Sequence, residues 1–183
     1  MKKCLLMITI SLLSFWTGML PAADNAEFTF NVKVLANTCE ITVEGTAVNM
    51  VDFGSIPLEK FKTDAAAGNI KKDFIVKLVR CKNNNFTNNK ILISGNYIND
   101  GYLDSPENKN FAVRISDKNN AKQSDDVFFT KVKNTMWSGF TSSSDTKTFT
   151  AYLMCRNGIA DCSASAENVG NFKATVTLTY MVD

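Results

Sequence analysis

Residues 172–180 alternate without a break: Phe172, Ala174, Val176, Leu178 and Tyr180 share one face, and Lys173, Thr175, Thr177 and Thr179 share the other. Side chains on a strand point to opposite faces with period two, so the pattern predicts a half-buried β-strand. The same alternation opens the polar part of the chain. Phe28, Phe30, Val32 and Val34 alternate with Thr29, Asn31 and Lys33 until Leu35 interrupts the pattern.

Shorter extended runs lie between these two. They cover residues 39–43, 48–53, 74–81, 91–94, 111–116, 127–132 and 148–155. Phe111, Val113 and Ile115 share a face, as do Phe149, Ala151, Leu153 and Cys155. The connections carry turn residues: five Asn within 83–89, a polar loop over 117–126 and a Ser-rich turn over 141–145. Residues 58–70 read as a polar connection, and no segment has a helical period. Short strands separated by turns predict an all-β sandwich. Nothing in the composition divides the strand-bearing region, so one domain is expected.

The first residues differ in kind. Met1-Lys2-Lys3 precedes an apolar run from Cys4 to Trp16, and small residues at Ala22 and Ala23 precede a polar stretch. That arrangement predicts a secretory signal peptide over 1–22, with cleavage after Ala23 as the alternative. The run is shorter than the about 20 apolar residues of a membrane span, so no direct membrane insertion is expected. Cleavage leaves roughly 160 residues, enough for one domain with a core. It also removes Lys2 and Lys3, so 18 basic residues face 18 acidic ones. A neutral chain lacks the basic footprint of a nucleic-acid binder.

Four cysteines follow the leader: Cys39, Cys81, Cys155 and Cys162. An even count in an exported chain predicts disulfides, and four cysteines allow three pairings. Spacing favours Cys155 with Cys162 as a local staple and Cys39 with Cys81 as a longer one. The longer bridge is worth roughly 3–4 kcal/mol in the chain-entropy model. Zinc is disfavoured because the chain has no His and no CxxC pair.

Candidate chemistry is sparse. Without His there is no imidazole base and no Ser-His-Asp triad. Oxidised cysteines are not nucleophiles. Asp52-Phe53-Gly54 matches three letters of a kinase motif whose other parts are missing, and reads as a strand end. Asp125-Asp126 reads as a solvated loop pair, and Asn85-Phe86-Thr87 is a formal glycosylation sequon. No catalytic residue, cofactor site or metal site is expected, and the protein reads as a non-enzyme.

Taken in order, these segments resemble the subunits of chaperone–usher pili, the family of type 1 and related fimbrial pilins. The resemblance rests on Cys39-Glu40-Ile41 after a short N-terminal extension, Val51-Asp52-Phe53-Gly54-Ser55-Ile56, and Phe74-Ile75-Val76-Lys77-Leu78 leading to Cys81. It continues in Phe149-Thr150-Ala151-Tyr152 and in the closing strand from Ala174 to Tyr180. It implies an incomplete immunoglobulin-like β-sandwich over 36–183, completed by a donated strand. It also implies a donor extension over 23–35, with Phe28, Phe30, Val32 and Val34 entering a neighbour's groove. Phe172, Ala174, Val176, Leu178 and Tyr180 would then form the subunit's own acceptor strand, which a periplasmic chaperone covers first. The partners implied are that chaperone, an outer-membrane usher and other pilus subunits. The destination implied is a fimbrium on the cell surface, in support of cell adhesion.

The chain departs from the family pattern at three points. Val32 stands where the family often has Gly, Tyr180 is followed by Met181-Val182-Asp183, and the Cys155/Cys162 pair is additional. Two alternatives come from other classes. One is a stand-alone secreted sandwich that binds carbohydrate, in which 28–34 is an ordinary first strand. The other, more distant, is a small secreted hydrolase.

Overall fold

The computed structural model describes residues 26–33, 39–81, 86, 88–99, 101–105, 110–164 and 170–182. Eleven strands are formed among them: β1 (Ala26–Lys33), β2 (Glu40–Glu44), β3 (Met50–Gly54), β4 (Lys71–Val79), β5 (Lys90–Gly95), β6 (Tyr97–Ile98), β7 (Tyr102–Leu103), β8 (Phe111–Ser116), β9 (Thr135–Ser138), β10 (Thr146–Cys155) and β11 (Phe172–Met181). They make two sheets, one in the order β3-β1-β11-β5-β9 and the other β2-β4-β10-β8-β7-β6. The two sheets pack face to face as an immunoglobulin-like sandwich.

The core comes from alternation on both sheets. β11 is buried at Phe172, Ala174, Val176, Leu178 and Tyr180, while Lys173 and Thr175 are exposed. β4 buries Phe74, Val76 and Leu78 from the opposite sheet. Aromatic rings bridge the layers: Phe30 lies 4.9 Å from Phe74, and Phe111 lies 5.1 Å from Phe172. Close approach also needs a gap. A Cβ at Gly95, in β5 opposite Val176, would sit 2.6 Å from Leu103 Cδ2 and 3.1 Å from the Thr175 carbonyl oxygen. A larger residue there would press on Leu103 and the Thr175 carbonyl, where β5 and β7 approach.

Both disulfides follow the favoured pairing. Cys39–Cys81 joins the start of β2 to the chain just past β4, two strands already paired antiparallel. Cys155–Cys162 closes the turn after β10.

Two expectations are corrected. Residues 58–70 contain a helix, α1 (Glu59–Ala67). Its apolar contact is one i,i+4 pair, Phe61 and Ala65, too little to register as a helical period. Phe61 stacks 4.9 Å from Phe111, Lys60 pairs with Asp64 at 2.9 Å, and Gly68 ends the helix in the left-handed region. A side chain at Gly68 would also collide with the Ala121 carbonyl.

Second, 127–132 is not a strand. Phe128 makes one isolated bridge to Ser116, and Phe128 and Phe129 are buried in different clusters. The Thr130 hydroxyl accepts from the backbone N–H of Val132 and Lys133 and turns the chain. The strand forms later, as β9. β6 and β7 are two-residue strands, too short to carry a pattern.

β8 is buried on both faces. Its inner face, Phe111, Val113 and Ile115, joins the main core, and its outer face joins a second cluster with Tyr102, Phe128, Tyr152 and Met154. Arg114 is held there between the Phe128 ring at 3.7 Å and the Tyr102 ring at 4.6 Å, and Nη1 donates to the Gln123 carbonyl at 2.7 Å. Stacking and hydrogen bonding offset the cost of burying this cation.

Phe74 is in ring contact with both Phe30 and Phe149. Phe74→Ala is expected to lower unfolding free energy by about 3–5 kcal/mol in chemical denaturation. Val48→Ser, on an exposed hairpin, is expected to change it by less than about 0.5 kcal/mol.

Candidate functional site

A slot runs the length of one sheet between β3 and β11, and β1 occupies it. Seven side chains define it. Ala174, Val176 and Leu178 come from β11, Val51 and Phe53 from β3, and Phe28 and Phe30 from β1; all are buried. β1 is parallel to β11, with Phe28 opposite Ala174, Phe30 opposite Val176 and Val32 opposite Leu178. Its other edge is antiparallel to β3, with Phe28 opposite Val51 and Thr29 opposite Met50. A bulge between Ala26 and Glu27 interrupts that second ladder.

Large and small residues are matched across the slot. Phe28 is opposite the smallest side chain of β11, Ala174, and its ring meets Phe30 edge-on at 4.7 Å. Each of the two phenylalanines gains roughly 1.5–3 kcal/mol gross from leaving water. Outward-facing residues pair as well. Lys173 Nζ lies 2.5 Å from Glu27 Oε1, and the Thr29 and Thr175 hydroxyls are 2.9 Å apart. Exposed contacts of this kind align the strands more than they stabilise them.

Support is uneven along β1. The ladder to β3 covers Ala26–Thr29, and Phe30 N–H adds one bond to the Asn49 carbonyl. Beyond it, Asn31–Lys33 pair with β11 alone, and Val32 is half-buried. At the far end of β11, Tyr180 packs against Phe140 and its hydroxyl accepts from Asn89 Nδ2 at 2.9 Å. Burial raises the Tyr180 pKa, against the opposing effect of that hydrogen bond.

Phe172, Ala174, Val176, Leu178 and Tyr180, expected as the acceptor strand, all lie on the buried face of β11. Phe28 and Phe30, expected as donor side chains, lie in the slot of their own chain, so β1 is a strand of this sandwich in the monomer and does not stand clear of it. Val34 lies outside the described residues, as do Asn85 and Thr87 of the sequon. Val51 and Phe53 carry period-two alternation, but their part as the far wall of the slot was not evident from it. Asp52 and Gly54 form a local turn, with Gly54 N–H donating to Asp52 Oδ1 at 2.7 Å. Asp125 accepts from Lys122 N–H at 2.8 Å and holds its own loop.

Among the described residues no group of three His, Cys, Asp or Glu is placed to hold a metal. No described helix is long and apolar enough to cross a membrane.

The chain is a two-sheet sandwich in which β1 lies between β3 and β11. Comparison with protein families makes the class specific: the chain matches the family described as fimbrial protein over residues 26–183. It belongs to that family. A search of curated proteins finds no match. Membership implies a structural subunit that assembles with other pilus subunits into a surface fimbrium.

Because Phe28 is fully buried in its own chain, Phe28→Ala is expected to destabilise the isolated monomer by about 3–5 kcal/mol. Asn31→Ala, on the exposed face, is expected to cost less than about 0.5 kcal/mol. Equilibrium unfolding of both variants checks the placement, since a β1 outside the slot would make the two indistinguishable.

Proposed function

We propose that this chain is a structural or adaptor subunit of a fimbrium that polymerises by donor-strand exchange. In this reading residues 1–22 direct export, 23–35 form the donor extension and 36–183 form the acceptor sandwich. A periplasmic chaperone delivers the subunit to an outer-membrane usher. The protein's role is assembly in support of adhesion and involves no catalysis.

The observation that carries the reading is the parallel seating of β1 against β11. Parallel ladders are slightly less stable per residue than antiparallel ones. The half of β1 beyond Phe30 also lacks β3 on its second edge. A strand arriving from a neighbour in the antiparallel sense would therefore form a better ladder in the same slot. A bare slot would expose an unpaired edge and an apolar floor, an aggregation hazard that explains the need for a chaperone. Main-chain pairing supplies the affinity of such an exchange, and alternate side chains entering pockets supply its specificity.

One observation favours a second reading. β1 fills the slot of its own chain, as it would in a self-complete secreted binding module.

Deletion of residues 23–32 separates the two. Under donor-strand exchange the truncated subunit still binds chaperone in a pulldown but no longer enters surface fibres. Phe30→Asp acts likewise, because a carboxylate in an apolar slot is costly. Thr29→Ala, on the outer face, stays near wild type. Loss of chaperone binding on deletion would instead assign β1 permanently to its own core and overturn the exchange.

A further inference from the structure

On the solvent side of the slot, charged residues lie in one row across three strands. Glu27 of β1 is opposite Asp52 of β3 on one edge and opposite Lys173 of β11 on the other. Lys173 Nζ lies 2.5 Å from Glu27 Oε1, while Asp52 Oδ1 accepts from the Gly54 N–H. Like charges directly opposite on neighbouring strands destabilise a sheet, and opposite charges stabilise it. The row reads minus, minus, plus, so Lys173 offsets the repulsion that Glu27 meets from Asp52. On its other edge the ladder from β11 to β5 begins only at Val176. Among the described residues, Lys173 therefore takes its cross-strand partner from whichever strand fills the slot.

The direction of that strand decides what Lys173 meets. Consider a strand of the same sequence that runs antiparallel to β11, with Phe28 and Phe30 both facing inward along Phe172–Met181. Whatever its register, it brings Thr29, Asn31, Lys33 or Leu35 opposite Lys173. None of these is acidic. Glu27 of such a strand could face Lys173 only with Phe28 opposite Phe172 and Phe30 beyond the end of β11.

We propose that Lys173 is a specificity-determining residue of the slot, favouring the subunit's own parallel β1 over the antiparallel strand of a second copy. The proposal rests on the donor-strand reading above. Both strands bury the same apolar side chains, so that large contribution cancels between them. What remains is a difference in charge pairing, about 1.5- to 5-fold for an exposed pair. Lys173 thus acts as a brake on an exchange that the ladder itself favours.

The test compares the purified wild-type protein with Lys173→Glu and with the swap Glu27→Lys/Lys173→Glu. The row is negative throughout in the single variant and alternates in sign in the swap. Amide hydrogen exchange over residues 26–33 reads the opening of β1 without any incoming strand. Opening is expected to rise at least about threefold in Lys173→Glu and to return to the wild-type rate or below in the swap. Added NaCl screens these charges, so it should slow opening in Lys173→Glu and quicken it in the swap. Lys173→Gln should fall between wild type and Lys173→Glu, and Lys72→Glu, exposed on the other sheet, should match wild type.

A synthetic peptide of residues 23–35 then stands for the strand of a second copy. An equimolar mixture of that peptide and its Glu27→Lys form is offered to the Lys173→Glu protein, and mass spectrometry reads the ratio taken up. Antiparallel entry sets residue 27 against Thr175, Thr177, Thr179 or Met181, so equal uptake is expected. Preference for the Glu27→Lys peptide would mean parallel entry and would overturn the discrimination. Equal opening of β1 in the folded wild-type, single and swapped proteins would overturn it as well. Uptake of neither peptide by any of the three proteins would instead remove the donor-strand reading, and the discrimination with it, even where opening follows the charges.

Discussion

The sheet that contains β11 is continuous because one strand fills the slot between β3 and β11. If β1 were removed, β3 would lose its ladder and β11 would present an unpaired edge. Ala174, Val176 and Leu178 would lose the aromatic surface against which they pack. Ring contact also carries the effect across the layers, since Phe30 reaches Phe74 of the other sheet, which meets Phe149. Filling this slot is therefore the condition on which the packing of both layers depends. What the slot requires of the strand that fills it is alternation, with apolar residues on the inward face.

Other contacts brace the sheet that faces the slot. Cys39–Cys81 ties β2 to β4, and Cys155–Cys162 holds the turn after β10. The second cluster around Arg114 anchors the loop over β8 from outside, so that sheet is supported on both faces. The slot itself is gripped unevenly, with two ladders over the first half of β1 and one over the second. That asymmetry gives the strand a defined weaker end, where Val32 is half-buried.

Much of the fold was legible because alternation is a local property. Each of β1, β4, β8, β10 and β11 carries enough period-two residues to identify itself, and in β4 and β11 the buried positions follow directly, whereas β8 and β10 are buried on both faces. Helix α1 was not legible, because a single i,i+4 pair of apolar residues cannot establish a period. Its existence depends on Phe61 finding Phe111, a contact distant in sequence. The segment 127–132 misled for a related reason. Phe128 and Phe129 are buried in two different clusters, one on each side of a sheet edge, and only the packed molecule supplies both.

The sequence by itself determined the strand faces, the cysteine set from which both disulfides form and the apolar alternation that marks β1 as a strand able to enter a sheet. Tertiary structure alone decided where that strand sits, in what direction it runs and which second strand, β3, walls it in. The physical reason is that alternation specifies which face of a strand is apolar and says nothing about its neighbour. Partner, direction and register are set by long-range matching, here Phe28 against Ala174 and Val51.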